Sequence, residues 1–268
     1  MLKKRVHSNF QGGRASKNMG AGLVFNDYRE YIPGDDFRAI DWKVYARTSK
    51  LFIKRYEEER NLNVHIIIDS SGSMNFGTPK KFDYAAMLGL GFSYIAMRNN
   101  EKFEISTFSN TLNIYKPKKG MRQLVSITDY LSNLQVKGNS NFYQSLRAYK
   151  KVINSKSVVI IISDFLYDIE QIRETLHHYK KNDLIIIQVL DNIEKNLEFE
   201  GEVLLTDAES DQKMRTYFSR RMRKHYKDKL YNHIYNVKDV CDELSAMFLS
   251  VTTNVPLFET FYHVVTKM

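Results

Sequence analysis

The sequence predicts an α/β domain, a mostly parallel sheet with helices on both faces, preceded by an N-terminal extension. Three observations predict it. The runs VHIIID (64–69), SVVIIIS (157–163) and DLIIIQVL (183–190) are apolar without alternation, as strands buried on both faces are. The segments between them carry apolar residues at helical spacing. An acid closes or follows each run, at Asp69, Asp164 and Asp191, and that edge of an open parallel sheet is where ligands bind.

The elements follow in order. Residues 1–62 show no clear repeat, with Gly12, Gly13, Gly20 and Gly22 early and a dense charged-aromatic stretch later. FDYAAMLGLGFSYIAMRN (82–99) is apolar nearly all round, which suits a helix packed hard against a sheet. KFEISTF (102–108) alternates with period two, and TLNIY (111–115) can pair with it after Ser109-Asn110. MRQLVSITDYLSNL (121–134) sets Leu124, Ile127, Leu131 and Leu134 on one helical side. FYQSLRAYKKVI (142–153) and DIEQIRETLHHYKK (168–181) read as further helices. After Asp191 the pattern loosens. A short strand is expected around VLLTD (203–207), a basic helix over roughly 211–235, and another around 238–247. A strand FLSVTT (248–253) and a terminal helix opened by Pro256 complete the chain. The division expected is an extension over 1–62 and the α/β domain over 63–268.

Composition narrows the function classes. With 268 residues, 43% hydrophobic and 26% charged, the chain suits one large domain with an appendage. Its single cysteine, Cys241, excludes an internal disulfide and a cysteine-based zinc cluster, and reads as a small buried apolar residue. The opening MLKKRVHSNF has positive charge with no apolar stretch behind it, unlike a secretory signal. The runs VVIII (158–162) and LIII (184–187) are far too short to span a bilayer. A cytoplasmic protein is therefore expected. The net charge of +9 is uneven: residues 213–229 hold eight Lys/Arg against Asp228 alone, or +7, leaving +2 for the rest. That is a local basic face suited to something acidic.

The stretch IIIDSSGSM (66–74) concentrates the chemistry. An acid at the end of a buried strand is costly unless neutralised, and a hard cation such as Mg²⁺ gathers oxygens in near-octahedral array. Asp69, Ser71 and Ser73 stand at alternate positions around the flexible Gly72. The same residues also suit a polar loop capping the next helix. Both readings fit the spacing.

Asp69-x-Ser71-x-Ser73 after an apolar strand resembles the metal-ion-dependent adhesion site of von Willebrand factor A domains, a Rossmann-like α/β family. GNSN (138–141) matches that family's G-x-T-[ND] loop with Ser140 in place of threonine, which keeps the hydroxyl, and Asp164 in IISDF matches its third-loop aspartate. The resemblance implies that Ser71, Ser73 and sometimes Ser140 bind Mg²⁺ (or Mn²⁺) directly. It implies that Asp69 and Asp164 act mostly through bound water, and that a partner's carboxylate takes the open position. GAGLVFNDYREYIPGDDFRAIDWKVYARTSKLFIKRYEEER (20–60) closely resembles the signature of a bacterial family of unknown function, number fifty-eight in that series. The residues carrying the likeness are Arg29, Tyr31, Gly34-Asp35-Asp36, Arg38, Ile40-Asp41-Trp42, Ala46-Arg47 and Glu57-Glu58-Glu59-Arg60. This resemblance implies a von Willebrand A-like protein acting with a MoxR-type AAA+ ATPase and with clients that offer a carboxylate. Within the stretch, Pro33-Gly34 signals a turn. Asp35, Asp36, Arg38, Asp41 and Arg47 are expected to form an ion-pair network around Trp42 that fixes the extension on the domain, the alternative being a docking surface or a second active centre.

The rival readings are weaker on residue grounds. A nucleophilic serine needs a base within reach, and Asp69 stands where a G-x-S-x-G elbow has glycine. His65 lies at the wrong end of its strand and His177-His178 on an amphipathic helix, so no catalytic residue is assigned. No G-x-x-x-x-G-K-[ST] occurs, so ATP binding by this chain alone is not expected. RTYFSRRMRKHYKDK (215–229), with Tyr217, Phe218 and Tyr226 interleaved, keeps nucleic-acid binding as the alternative, although a solvated helix face explains the same charges.

Overall fold

The computed structural model describes residues 23–58, 63–116, 118–197, 201–206 and 213–267. These residues fall into two compact units, before and after the break between 58 and 63.

In the N-terminal unit, β1 (Leu23–Glu30) and β2 (Phe52–Glu58) pair antiparallel, with Glu30 opposite Phe52 and Leu23 opposite Glu58. A turn at Pro33-Gly34 (Gly34 φ +109°), a 3-10 helix (Phe37–Ala39) and the short helix α1 (Trp42–Thr48) connect them. The expected network around Trp42 does not form. Asp35 pairs with Arg29 at 2.7 Å, Asp36 caps the 3-10 helix, and Trp42 is 60% exposed. Asp41 caps α1 through the Lys43 amide (2.9 Å), accepts from Tyr28 Oη (2.9 Å) and meets Lys54 Nζ at 3.1 Å. The Lys54 ammonium first, and then Tyr28 and the α1 amides, hold the Asp41 carboxyl down at about 2 against the opposing effect of burial. Each acid is taken by the nearest amide or by a cation on the hairpin, so no shared cluster remains to surround the tryptophan. The early glycines lie outside the described residues.

The second unit is the α/β domain. Its elements are β3 (Asn63–Asp69), α2 (Lys81–Arg98), β4 (Lys102–Phe108), β5 (Leu112–Asn113), α3 (Met121–Ser132) and α4 (Phe142–Lys150). These are followed by β6 (Val158–Ser163), α5 (Ile169–His177), β7 (Asp183–Leu190), α6 (Asn192–Asn196), β8 (Gly201–Thr206) and β9 (Lys213–Phe218). Last come α7 (Arg220–Glu243), β10 (Met247–Thr252) and α8 (Leu257–Lys267). Six strands form one sheet in the order β10-β7-β6-β3-β4-β5, parallel except for the short β5. The fold class is thus the expected α/β one, a mostly parallel sheet with helices on both faces.

Side chains alternate across the sheet, and the β-branched runs supply both faces. Ile66 and Ile68 point into a core with Leu88, Phe92 and Ile127, while Ile67 joins Phe142, Leu146, Ile172 and Val240 on the other side. All three isoleucines are fully buried, which is why the strand shows no polar alternation. Gly89 of α2 lets that helix lie against the sheet, since a Cβ there would sit 2.8 Å from Ile68 Cδ1.

One expected helix is corrected. Residues 213–218 form β9, antiparallel to β8, and α7 begins only at Arg220, where Ser219 Oγ accepts from the Met222 amide at 3.2 Å. The run Thr216-Tyr217-Phe218 favours a strand, and the serine is a natural helix start. From there α7 continues to Glu243 and absorbs most of the separate helix expected at 238–247. The remainder of the expected segment, 211–212, lies outside the described residues.

Candidate metal centre

Chain order fixes where a site can lie. From β3 the chain proceeds to β4 and β5 on one side, then returns to β6 on the other side of β3. The order therefore reverses between β3 and β6, and the crevice beyond their carboxyl ends is the preferred ligand position. β3 ends at Asp69 and β6 at Ser163, followed by Asp164.

Asp69 is fully buried. Its Oδ1 accepts the Ser71 amide at 2.9 Å, and its Oδ2 accepts Ser163 Oγ at 2.7 Å and the Tyr167 hydroxyl. Burial, with the Asp164 carboxylate nearby as the second cause, pushes the Asp69 carboxyl up to about 6 despite these three donors. Ser70 ties the loop to β4 through the Phe108 carbonyl, by its amide (2.8 Å) and its hydroxyl (2.9 Å). Ser71 Oγ and Ser73 Oγ stand 3.2 Å apart.

The second loop is joined to the first by the Gly72 amide, which donates to the Gly138 carbonyl at 2.8 Å. Gly138 has φ +86°, a backbone region that glycine adopts without strain. The Asn141 amide anchors the same loop to the Ser109 carbonyl at 3.0 Å. Ser140 Oγ lies 2.6 Å from the Tyr167 hydroxyl, which itself reaches Asp69. The three loops are thus connected through hydrogen bonds between named atoms.

Asp164 is buried but has a cation. Lys81 Nζ, fully buried at the start of α2, donates to Asp164 Oδ2 (3.0 Å) and to Glu194 Oε1 (2.8 Å). Burial works against the Lys81 charge, yet the Asp164 and Glu194 carboxylates outweigh it and raise its pKa. For Glu194 burial is the larger influence and raises the carboxyl, opposed by Lys81. Asp191 does not join the site directly. It caps α6, accepting from the Ile193 amide (2.8 Å) and from Thr253 Oγ1 (3.0 Å), while Glu194 Oε2 accepts the Asp191 amide at 2.9 Å.

The Asp164 loop has a strained turn: Phe165 has φ +50°, unusual for a bulky residue. His233 Nε2 of α7 donates to the Phe165 carbonyl at 2.7 Å. The Tyr167 ring stacks on Phe142 with centroids 4.5 Å apart and planes 19° apart.

The donor set suits a hard cation. Asp69, Ser71, Ser73, Ser140 and Asp164 offer oxygen only, from three loops at one sheet edge, with both carboxylates buried. Among the described residues no group of three or more His, Cys, Asp and Glu is placed to hold a metal, so the hydroxyls would be indispensable here. The sequence reading did not anticipate Lys81, Ser163, Tyr167, Glu194 or His233. Only Ser163, at the end of the IIIS run beside Asp164, gave a visible signal.

Residues 27–235 match the family model described as "Protein of unknown function DUF58". The chain is similar to the uncharacterized protein Rv1480 of Mycobacterium tuberculosis, 24% identical over 78% of this chain and 68% of that one. It is similar also to YeaD of Bacillus subtilis, 27% identical over 34% of this chain and 22% of that one. Among solved structures, BatB of Bacteroides thetaiotaomicron is 12% identical, covering 77% of this chain and 98% of its own, with a TM-score of 0.46. The SpRpn10 VWA domain is 13% identical over 78% of this chain and 96% of its own, with a TM-score of 0.45.

Proposed function

The chain belongs to the DUF58 family, and on that premise we propose that its α/β unit is a non-enzymatic, metal-dependent protein-binding module. Ser71, Ser73 and Ser140 hold Mg²⁺ or Mn²⁺, and Asp69 and Asp164 supply negative charge and orient bound water. The observation carrying this reading is the juxtaposition of a fully buried Asp69 with the Ser71–Ser73 hydroxyl pair at the strand-order reversal. A carboxylate raised by burial to about 6 is a cost to the fold unless a cation offsets it.

When bound, the cation supplies a Lewis-acidic position open to a carboxylate of a partner. The chain's own residues prepare that position. Ser70 and Gly72 pin the first loop, Gly138 lets the second approach it, and Lys81 holds Asp164 in one orientation. The proposed partners are a MoxR-type AAA+ ATPase, for which this chain acts as an adaptor, and client proteins that present an acidic side chain. The partner proposal rests on the family resemblance.

The test is a pull-down from native lysate with and without chelator, comparing wild type with Asp69→Ala. Partners lost on chelation and lost again in the variant support the reading. Identical partner sets under all four conditions overturn it.

A further inference from the structure

We infer that Tyr167 is a built-in competitor for the cation, so that this site is closed by its own tyrosine until metal and partner displace the hydroxyl. The inference rests on the metal reading above and adds a residue that sets the affinity of that site.

A phenol has one proton. The ionised Asp69 carboxylate can only accept, so Tyr167 donates its one hydrogen to Oδ2 and in turn accepts from Ser140 Oγ–H at 2.6 Å. One oxygen therefore joins the first-loop carboxylate to the second-loop hydroxyl, the two groups that a cation with its waters has to connect. Asp69 has little spare capacity: Oδ2 already takes Ser163 Oγ as well as Tyr167, and Oδ1 takes the Ser71 amide. For Asp69 to accept from a metal-bound water through Oδ2, Tyr167 has to leave.

The tyrosine is held in place from its other side. Its ring lies flat on Phe142, itself buried, at the start of α4 directly after the Ser140 loop. The Phe142–Tyr167 stack thus sets the phenol oxygen between the loops. Tyr167 is half-buried, whereas Asp69 is fully enclosed.

The experiment measures Mn²⁺ affinity by electron paramagnetic resonance for wild type, Tyr167→Phe and Tyr167→Leu. Folding of each is checked by far-UV circular dichroism. Phenylalanine keeps the stack and removes the oxygen; leucine removes both, and stands in if the first variant folds poorly. A hydrogen bond to a charged group contributes enough that its loss is expected to tighten Mn²⁺ binding by about tenfold or more. Wild type binding Mn²⁺ as tightly as both variants, or more tightly, overturns the inference while leaving the metal reading standing. Absence of Mn²⁺ binding in all three proteins overturns the metal reading and this inference with it.

Discussion

Replacing Asp69 by asparagine separates what the carboxylate costs from what it does. The side chain is fully buried, and its carboxyl is raised from 3.8 to about 6 by burial and by Asp164. A folded pKa above the unfolded one means that the native state holds its proton more tightly. The associated stability is fully present below pH 3.8 and is lost as pH rises through 6. A rise of that size corresponds to about 3 kcal/mol. Asparagine has nothing to titrate. The stability difference between variant and wild type, measured in chelator by urea unfolding, should therefore move by about 3 kcal/mol in favour of Asp69→Asn between pH 3.5 and pH 7.5. This double difference cancels titrations common to both proteins. Asparagine presents an amide where the carboxylate accepted from Ser71, Ser163 and Tyr167, so a constant offset between the curves is expected and does not alter the slope. Millimolar Mn²⁺ should then reverse the order, because a ligand that binds only the native state stabilises it in proportion to RT ln(1 + [L]/Kd). Parallel stability curves across the pH range would refute the reasoning, since Asp69 would then carry no unfavourable buried charge.

Lys81→Met leaves Asp164 and Glu194 without their common cation; breaking a buried pair in this way costs about 3–5 kcal/mol, readable by urea unfolding. Adding Glu194→Gln should recover part of that loss. Gly91→Ala drives a Cβ into the Phe261 ring and should destabilise the α/β unit by about 1–3 kcal/mol through overpacking, so an unchanged melting temperature would contradict the α2–α8 contact. In the N-terminal unit, Asp41 is held down to about 2 chiefly by Lys54, so its contribution is present above pH 3.8 and lost as pH falls through 2. Asp41→Asn should weaken that unit at neutral pH and not at pH 2, followed by fluorescence of the sole tryptophan, Trp42. If the basic end of α7 binds single-stranded polynucleotide, log affinity should fall steeply with log salt; a near-flat dependence removes that alternative.

The sheet and its loops were legible because their signals are local. Ile66, Ile67 and Ile68 fill both faces of one strand, so the absence of alternation reports burial directly. Asp69, Ser71 and Ser73 are neighbours in sequence, and the second and third loops declare themselves by residue type. Lys81 was illegible for the opposite reason. A lysine opening a helix reads as solvated, and its burial depends on Glu194, 113 residues away. Tyr167 likewise turns back on an aspartate 98 residues earlier, which no local pattern encodes. The strand expected around 203–207 is there as β8, whereas β9 departs from the helix expected over 211–235, because Ser219 divides the basic stretch into a strand and a helix. In the N-terminal hairpin, acids and bases balance in composition without revealing which ones meet.

The His233 contact gives α7 mechanical meaning. From Arg220 at one end of the helix to His233 is 13 residues, about 20 Å of stiff rod. That rod starts among the exposed Arg220, Arg221 and Lys224 and ends on the carbonyl of Phe165, the residue after Asp164 and the one whose backbone is already bent out of its comfortable range. Because Leu230, Val237 and Val240 bury the same helix in the domain, the backbone of the Asp164 loop is tied to a fixed element rather than left to solvent.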